Sequence, residues 1–118
     1  MNSLPHDHGP CGRHMQAHMP NNEAFLLISD IFKQLADPTR IRIFWLLCHC
    51  EECVINLSAL MEMSSPAVSH HLKQLRAAGL IVSRREGKEV YYKAADSDQV
   101  RLLHTMIENM VQITCPNL

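Results

Sequence analysis

The segment Ala67-Val68-Ser69-His70-His71-Leu72-Lys73-Gln74-Leu75, followed by Gly79-Leu80 and then by Arg84-Arg85-Glu86-Gly87-Lys88 and Val90-Tyr91-Tyr92, decides the fold of this chain. At about 100° per residue, Val68, Leu72 and Leu75 share one helical face while Ser65, Ser69 and Lys73 share another. Ser64-Ser65-Pro66 supplies a cap and a proline suited to a helix's first turn. Gly79 is a natural stop at the other end. The β-prone runs Leu80-Ile81-Val82 and Val90-Tyr91-Tyr92 flank Glu86-Gly87-Lys88, which can turn, so a two-stranded hairpin is expected.

Upstream, Val54, Leu57, Leu60 and Met61 predict a short amphipathic helix that stops near Glu62 or Met63. Two helices across a tight turn make a helix-turn-helix, and the hairpin adds a wing. Asp37 as N-cap with Pro38 at the first position opens an earlier helix, whose Ile41, Phe44, Trp45 and Leu47 are expected to form a broad buried face ending near Cys48 to Cys50. Before it, Phe25, Ile28, Ile31, Phe32 and Leu35 mark one face of a helix beginning at about Glu23. From Asp98, the residues Val100, Leu103, Ile107, Met110, Val111 and Ile113 predict a last helix with more apolar surface than one small domain needs. That excess points to pairing with a second copy. The expected fold is mainly α with a small β-hairpin wing, a homodimeric winged helix-turn-helix. Residues 1–20 are expected to be a flexible arm carrying His6, His8, His14, His18 and Cys11, and residues 21–118 the folded domain.

Composition agrees, since 118 residues at 47% hydrophobic content can bury one core, and 5% aromatics with seven methionines favour helices packed through aliphatic side chains. No apolar run approaches the roughly 20 residues that span a bilayer, and Met1-Asn2-Ser3-Leu4-Pro5-His6 lacks the basic start and apolar stretch of an export signal. A cytoplasmic, non-membrane chain is expected. Five cysteines are an odd count and the cytosol keeps thiols reduced, so metal binding, redox sensing or plain burial is expected of them rather than a disulfide framework.

The formal net charge of −1 conceals a partition: −3 over residues 1–62, +4 over residues 63–93 and −2 over residues 94–118. Local charge governs attraction to phosphate, so double-stranded DNA is the expected partner. Ser65, Ser69 and His70 are the candidates for base contact, Lys73 and Arg76 for phosphate, and Arg84, Arg85 and Lys88 for the flanking backbone. An enzyme is not expected. A Cys-His pair drawn from Cys48 or Cys50 with His49 sits at neighbouring positions, with no oxyanion or phosphate-cradling loop beside it.

Residues 35–92 resemble the ArsR/SmtB family of bacterial metal-responsive repressors, through Leu35-Ala36-Asp37-Pro38-Thr39-Arg40-Ile41-Arg42-Ile43, Ala67-Val68-Ser69-His70-His71-Leu72, Leu75-Arg76 with Ala78-Gly79-Leu80-Ile81, and Arg84-Arg85-Glu86-Gly87-Lys88 leading to Tyr91-Tyr92. The resemblance implies a homodimer held by its first and last helices, bound to an operator palindrome until an effector releases it. It places base reading on Ser65, Pro66, Ser69 and His70, with proline at 66 departing from the family's usual hydroxyl or amide residue.

The resemblance also implies two types of metal site. In the first, Cys53 matches the first cysteine of the family's Cys-Val-x motif, Ile55 replaces the second, Cys48 and Cys50 lie just upstream, and Cys11 sits in an arm able to cross to the other subunit. Three or four thiolates favour cadmium, lead or arsenite, and an imidazole in place of one moves the preference toward zinc. In the second, Asp96 and Asp98 fall on the first two positions, but Asn109 and Gln112 occupy the partner positions and are poor zinc ligands. His104 and Glu108, one helical turn apart, offer a variant. Cys48 and Cys115 could alternatively pair as a redox or sulfide switch, as in thiol-responsive members of the family.

Overall fold

A computed structural model describes residues 4–117. Met1 to Ser3, the start of the segment read as lacking an export signal, lie outside the described residues, as does Leu118. The elements are α1 (Cys11–His18), α2 (Asn22–Gln34), α3 (Pro38–His49), β1 (Glu52–Cys53), α4 (Val54–Met61), α5 (Ser65–Ala77), β2 (Ile81–Glu86), β3 (Glu89–Ala94) and α6 (Asp98–Thr114). The helix-turn-helix is α4 and α5, and the wing is β2 and β3. No helix among the described residues is long and apolar enough to cross a membrane.

Local chemistry sets most boundaries. Asn21, Asp37, Ser64 and Ser97 each cap the helix that follows by accepting a backbone N–H three residues on. Pro38 and Pro66 occupy first-turn positions where a missing N–H costs nothing. α4 ends at Glu62, which adopts the left-handed conformation at φ 55, and the Met63 amide returns to the Ser58 carbonyl at 3.0 Å. α5 ends before Gly79 at φ +76, and Gly87 at φ +62 allows the two-residue turn that sets Glu86 opposite Glu89.

The core lies where α3, α4, α5 and the base of the wing converge. Ile43, Phe44, Leu57, Val68 and Leu75 are fully buried, with Leu47, Leu72, Leu80 and Ile81 nearly so. Trp45 departs from the sequence reading. It is 39% exposed, and Ile43 shares the buried face with Phe44 and Leu47 instead. Leu60 likewise stays outside at 54% exposure while Leu57 carries the burial on α4.

Within the N-terminal arm, Cys11–His18 form α1, a helix with no buried residue. Glu52 and Cys53 form a strand paired with Tyr92 and Tyr91, so the wing belongs to a three-stranded antiparallel sheet of order β1-β3-β2. The chain extends 62 × 36 × 23 Å with a radius of gyration of 19.1 Å, against about 13 Å for a compact chain of this length. Apolar helix faces are left uncovered: Phe25, Ile28 and Phe32 on α2, and Leu102, Met110 and Ile113 on α6.

Leu57 and Ile55 occupy one helix but are 0% and 65% exposed respectively. Leu57→Ala is expected to cost about 2–5 kcal/mol in urea unfolding and Ile55→Ala less than about 1 kcal/mol; equal losses would contradict the burial pattern.

Candidate nucleic-acid interface and sensor residues

α5 presents the anticipated stripe. Ser65, Ser69, His70 and Lys73 are exposed while Val68, Leu72 and Leu75 hold the opposite face in the core. The Ser65 hydroxyl lies 3.0 Å from that of Ser58 on α4, and Ser58 donates its one proton to the Val54 carbonyl at 2.8 Å. Ser65 is therefore the donor in the pair, and its own oxygen keeps lone pairs free to accept. His71, next to the outward His70, turns inward. Arg40 on α3 donates through Nε to His71 Nδ1 at 3.2 Å and through a guanidinium N–H to Gln34 at 2.7 Å. Burial, and then the nearby Arg40 charge, hold the His71 pKa below its ordinary value. His71 thus ties α5 to α3, while His70 beside it stays exposed.

The three cationic residues of the wing have different surroundings. Arg84 is clamped: its Nε and one terminal N–H donate to the two oxygens of Glu51 at 3.0 and 2.8 Å, the other terminal N–H donates to Glu86 at 2.8 Å, and the guanidinium sits 4.7 Å over the Tyr91 ring. The hydrogen bond from Arg84 keeps the Glu51 carboxyl below its usual range. In this conformation Arg84 fastens the wing to the segment between α3 and β1. Arg85 and Lys88 stand exposed at the turn end of the hairpin, as a phosphate contact requires.

All five cysteines are free thiols. Cys11 is exposed on α1, Cys50 exposed at the end of α3, Cys48 half-buried, Cys53 buried at the start of α4, and Cys115 half-buried after α6. Cys50 donates its thiol proton to the Leu46 carbonyl at 3.4 Å. Burial first, and the Glu108 charge second, push the Cys48 thiol up to about 11. Among the described residues, the cysteines form no group of three ligand atoms within a single chain.

The donor group that does assemble joins α3 to α6. His49 Nε2, His104 Nε2 and Glu108 Oε1 lie within 4.8 Å of one another. Separations are 2.9 Å from His49 to Glu108, 3.0 Å from His104 to Glu108 and 3.1 Å between the two imidazole nitrogens. Trp45 Nε1 donates to the same Glu108 oxygen at 3.1 Å. The hydrogen bond from His49, chief among several causes, lowers the Glu108 pKa and keeps it ionised. Asp96 and Asp98 are drawn instead to Arg101, at 2.6 and 2.5 Å. The sequence signalled His104 and Glu108 by their helical spacing. His49 and Trp45 lie more than fifty residues away along the chain, and no local pattern marks that meeting.

The profile of the bacterial regulatory protein family designated arsR matches residues 37–83. The chain is 39% identical over 83 residues to the transcriptional repressor SmtB homolog of Synechocystis sp., covering 70% of this chain and 63% of that protein. It is 37% identical over 86 residues to the arsenic resistance transcriptional regulator ArsR2 of Pseudomonas putida, covering 72% of this chain and 70% of that one. Several curated relatives are spanned over only half to under two-thirds of their length. Among solved structures, the homodimeric winged helix-turn-helix DNA-binding domain Mb0332 from Mycobacterium bovis superposes with a TM-score of 0.69 at 27% identity, covering 80% of this chain and 88% of that one.

With its thiol held at about 11, Cys48 carries on the order of one thiolate per thousand at pH 8. Iodoacetamide followed by peptide mass spectrometry should label exposed Cys11 and Cys50 first and Cys48 at least about tenfold more slowly; early labelling of Cys48 would contradict its environment.

Proposed function

The chain belongs to the ArsR family of bacterial regulatory proteins, and from that premise we propose that it is a transcriptional repressor that binds operator DNA as a homodimer and leaves it when a metal ion binds. The observation that carries the DNA half is the outer face of α5: Ser65, Ser69, His70 and Lys73 stand free on a helix whose rotation is fixed by Val68, Leu72 and Leu75. Arg85 and Lys88 on the neighbouring wing suit the flanking phosphates. Arg84 joins them only if its hold on Glu51 and Glu86 opens.

Support for the dimer comes from the uncovered apolar faces of α2 and α6 and from the homodimeric description of the Mycobacterium bovis domain. Two reading helices related by a two-fold axis would address half-sites one helical turn apart, about 34–36 Å along the DNA. The relatives carry regulator names and not enzyme names.

The Pseudomonas relative's name speaks of arsenic resistance, and the effector proposed here is an ion of the cadmium, lead, arsenite or zinc class. The proposed ligands are Cys53 with Cys48 and Cys50, joined by Cys11 from the arm of the other subunit. Cys53 pairs its backbone with Tyr91 of the wing and immediately precedes α4, so an ion drawing on its thiolate would act on both elements at once.

Fluorescence anisotropy with operator DNA tests both halves. Ser69→Ala and His70→Ala should each cost about 1–3 kcal/mol at the cognate site and relax its specificity, and Lys73→Ala should weaken all sequences alike and reduce the salt slope by about 1. Uniform weakening by all three would sink the reading-helix assignment. For sensing, Cys53→Ser should abolish release of DNA by cadmium or arsenite; unimpaired release discards the thiolate site while leaving the DNA half standing.

A further inference from the structure

His49 Nε2, His104 Nε2 and Glu108 Oε1 form a nearly equilateral triangle with sides of 2.9, 3.0 and 3.1 Å. Protons alone cannot satisfy it. The carboxylate has no proton to give, each imidazole nitrogen has at most one, and the Trp45 N–H already occupies one direction at Glu108. If both nitrogens donate to Glu108, they face each other as two donors at 3.1 Å. If one nitrogen accepts from the other, it faces the carboxylate oxygen as a second acceptor. One side of the triangle is unfavourable in every neutral arrangement.

A cation at the centre relieves all three sides together. In tetrahedral zinc coordination, with bonds of about 2.0–2.1 Å, ligand atoms stand roughly 3.3 Å apart, so each side needs to open by only a few tenths of an ångström. Two imidazoles and a carboxylate suit zinc and cobalt(II) and disfavour both hard alkaline-earth ions and ions that demand several thiolates. The Trp45 N–H supplies the outer contact that orients a ligating carboxylate. All three donors are partly exposed, with side-chain accessibilities of 44%, 29% and 42%, so an ion can enter from solvent.

We propose that His49, His104 and Glu108 form a binding site for a zinc-class divalent ion within a single chain, tying the last turn of α3 to the middle of α6. The site uses no thiolate, although His49 stands between Cys48 and Cys50, uses neither Asp96 nor Asp98, and leaves a fourth coordination position for water.

Cobalt(II) titration of the reduced full chain tests it. The expected spectrum shows ligand-field bands in the visible without the near-ultraviolet charge-transfer band of a thiolate, saturating at one ion per chain. The signal should survive Cys48→Ser/Cys50→Ser/Cys53→Ser, and also glutamine at His6, His8, His14 and His18. His49→Gln and His104→Gln should each weaken binding by at least about tenfold, and Trp45→Phe by a similar or smaller factor. In the wild-type chain, zinc should also perturb the Nε2 resonances of His49 and His104 in nitrogen-correlated NMR, a readout that needs no variant to fold. Thiolate charge-transfer, insensitivity to both histidine variants, loss of the signal with the arm histidines, or no uptake at millimolar cobalt would each overturn the site.

Discussion

The rotation of α5 about its own axis is the constraint on which the rest of the molecule depends. Val68, Leu72 and Leu75 are locked among Ile43, Phe44, Leu47 and Leu57, and one helical position of slippage would swing every outer side chain by about 100°. Because those apolar contacts are dense and close-packed, they leave one rotational setting. Arg40, holding His71 from α3, and Ser58, receiving the Ser65 proton from α4, refine that setting with polar contacts at its edge. The orientation of the exposed stripe is thus set by groups on the other side of the helix and at its edge.

Much of this was legible in the sequence because it is encoded locally. Asp37-Pro38 and Ser64 with Pro66 announce helix starts, Gly79 a stop and Gly87 a turn, each through the conformational preferences of single residues. The periodicity of Val68, Leu72 and Leu75 then separates inside from outside. What escaped was non-local. The strand at Glu52 and Cys53 is two residues long and exists only because Tyr91 and Tyr92 lie alongside it. Trp45 is as apolar as its neighbours, yet its indole N–H finds Glu108 at the surface, and that polar handle keeps it out of the core. His49 became informative only when folding carried it to His104 and Glu108. Spacing also cannot reveal that Arg84 is already engaged, since Glu51 lies 33 residues away.

The charge partition acquires structure in the same way. The positive stretch from 63 to 93 is not uniformly available: Arg84 spends its hydrogen bonds on Glu51 and Glu86, whereas Lys73, Arg85 and Lys88 face solvent. The ion pairs of Arg84 are substantially exposed and contribute little to global stability. Their effect is orientational, setting the wing against α3 and leaving the cations at its tip to face outward.

Cys53 ends β1 and immediately precedes the first residue of α4, and its backbone partner is Tyr91 in the wing. Sheet and helix-turn-helix therefore share a covalent seam one residue wide. Any fluctuation that frees β1 from β3 also unsettles the first turn of α4, and a helix of eight residues has little internal cooperativity with which to resist. β1 and the first turn of α4 are therefore expected to open together, as a unit distinct from the better-buried α3 and α5.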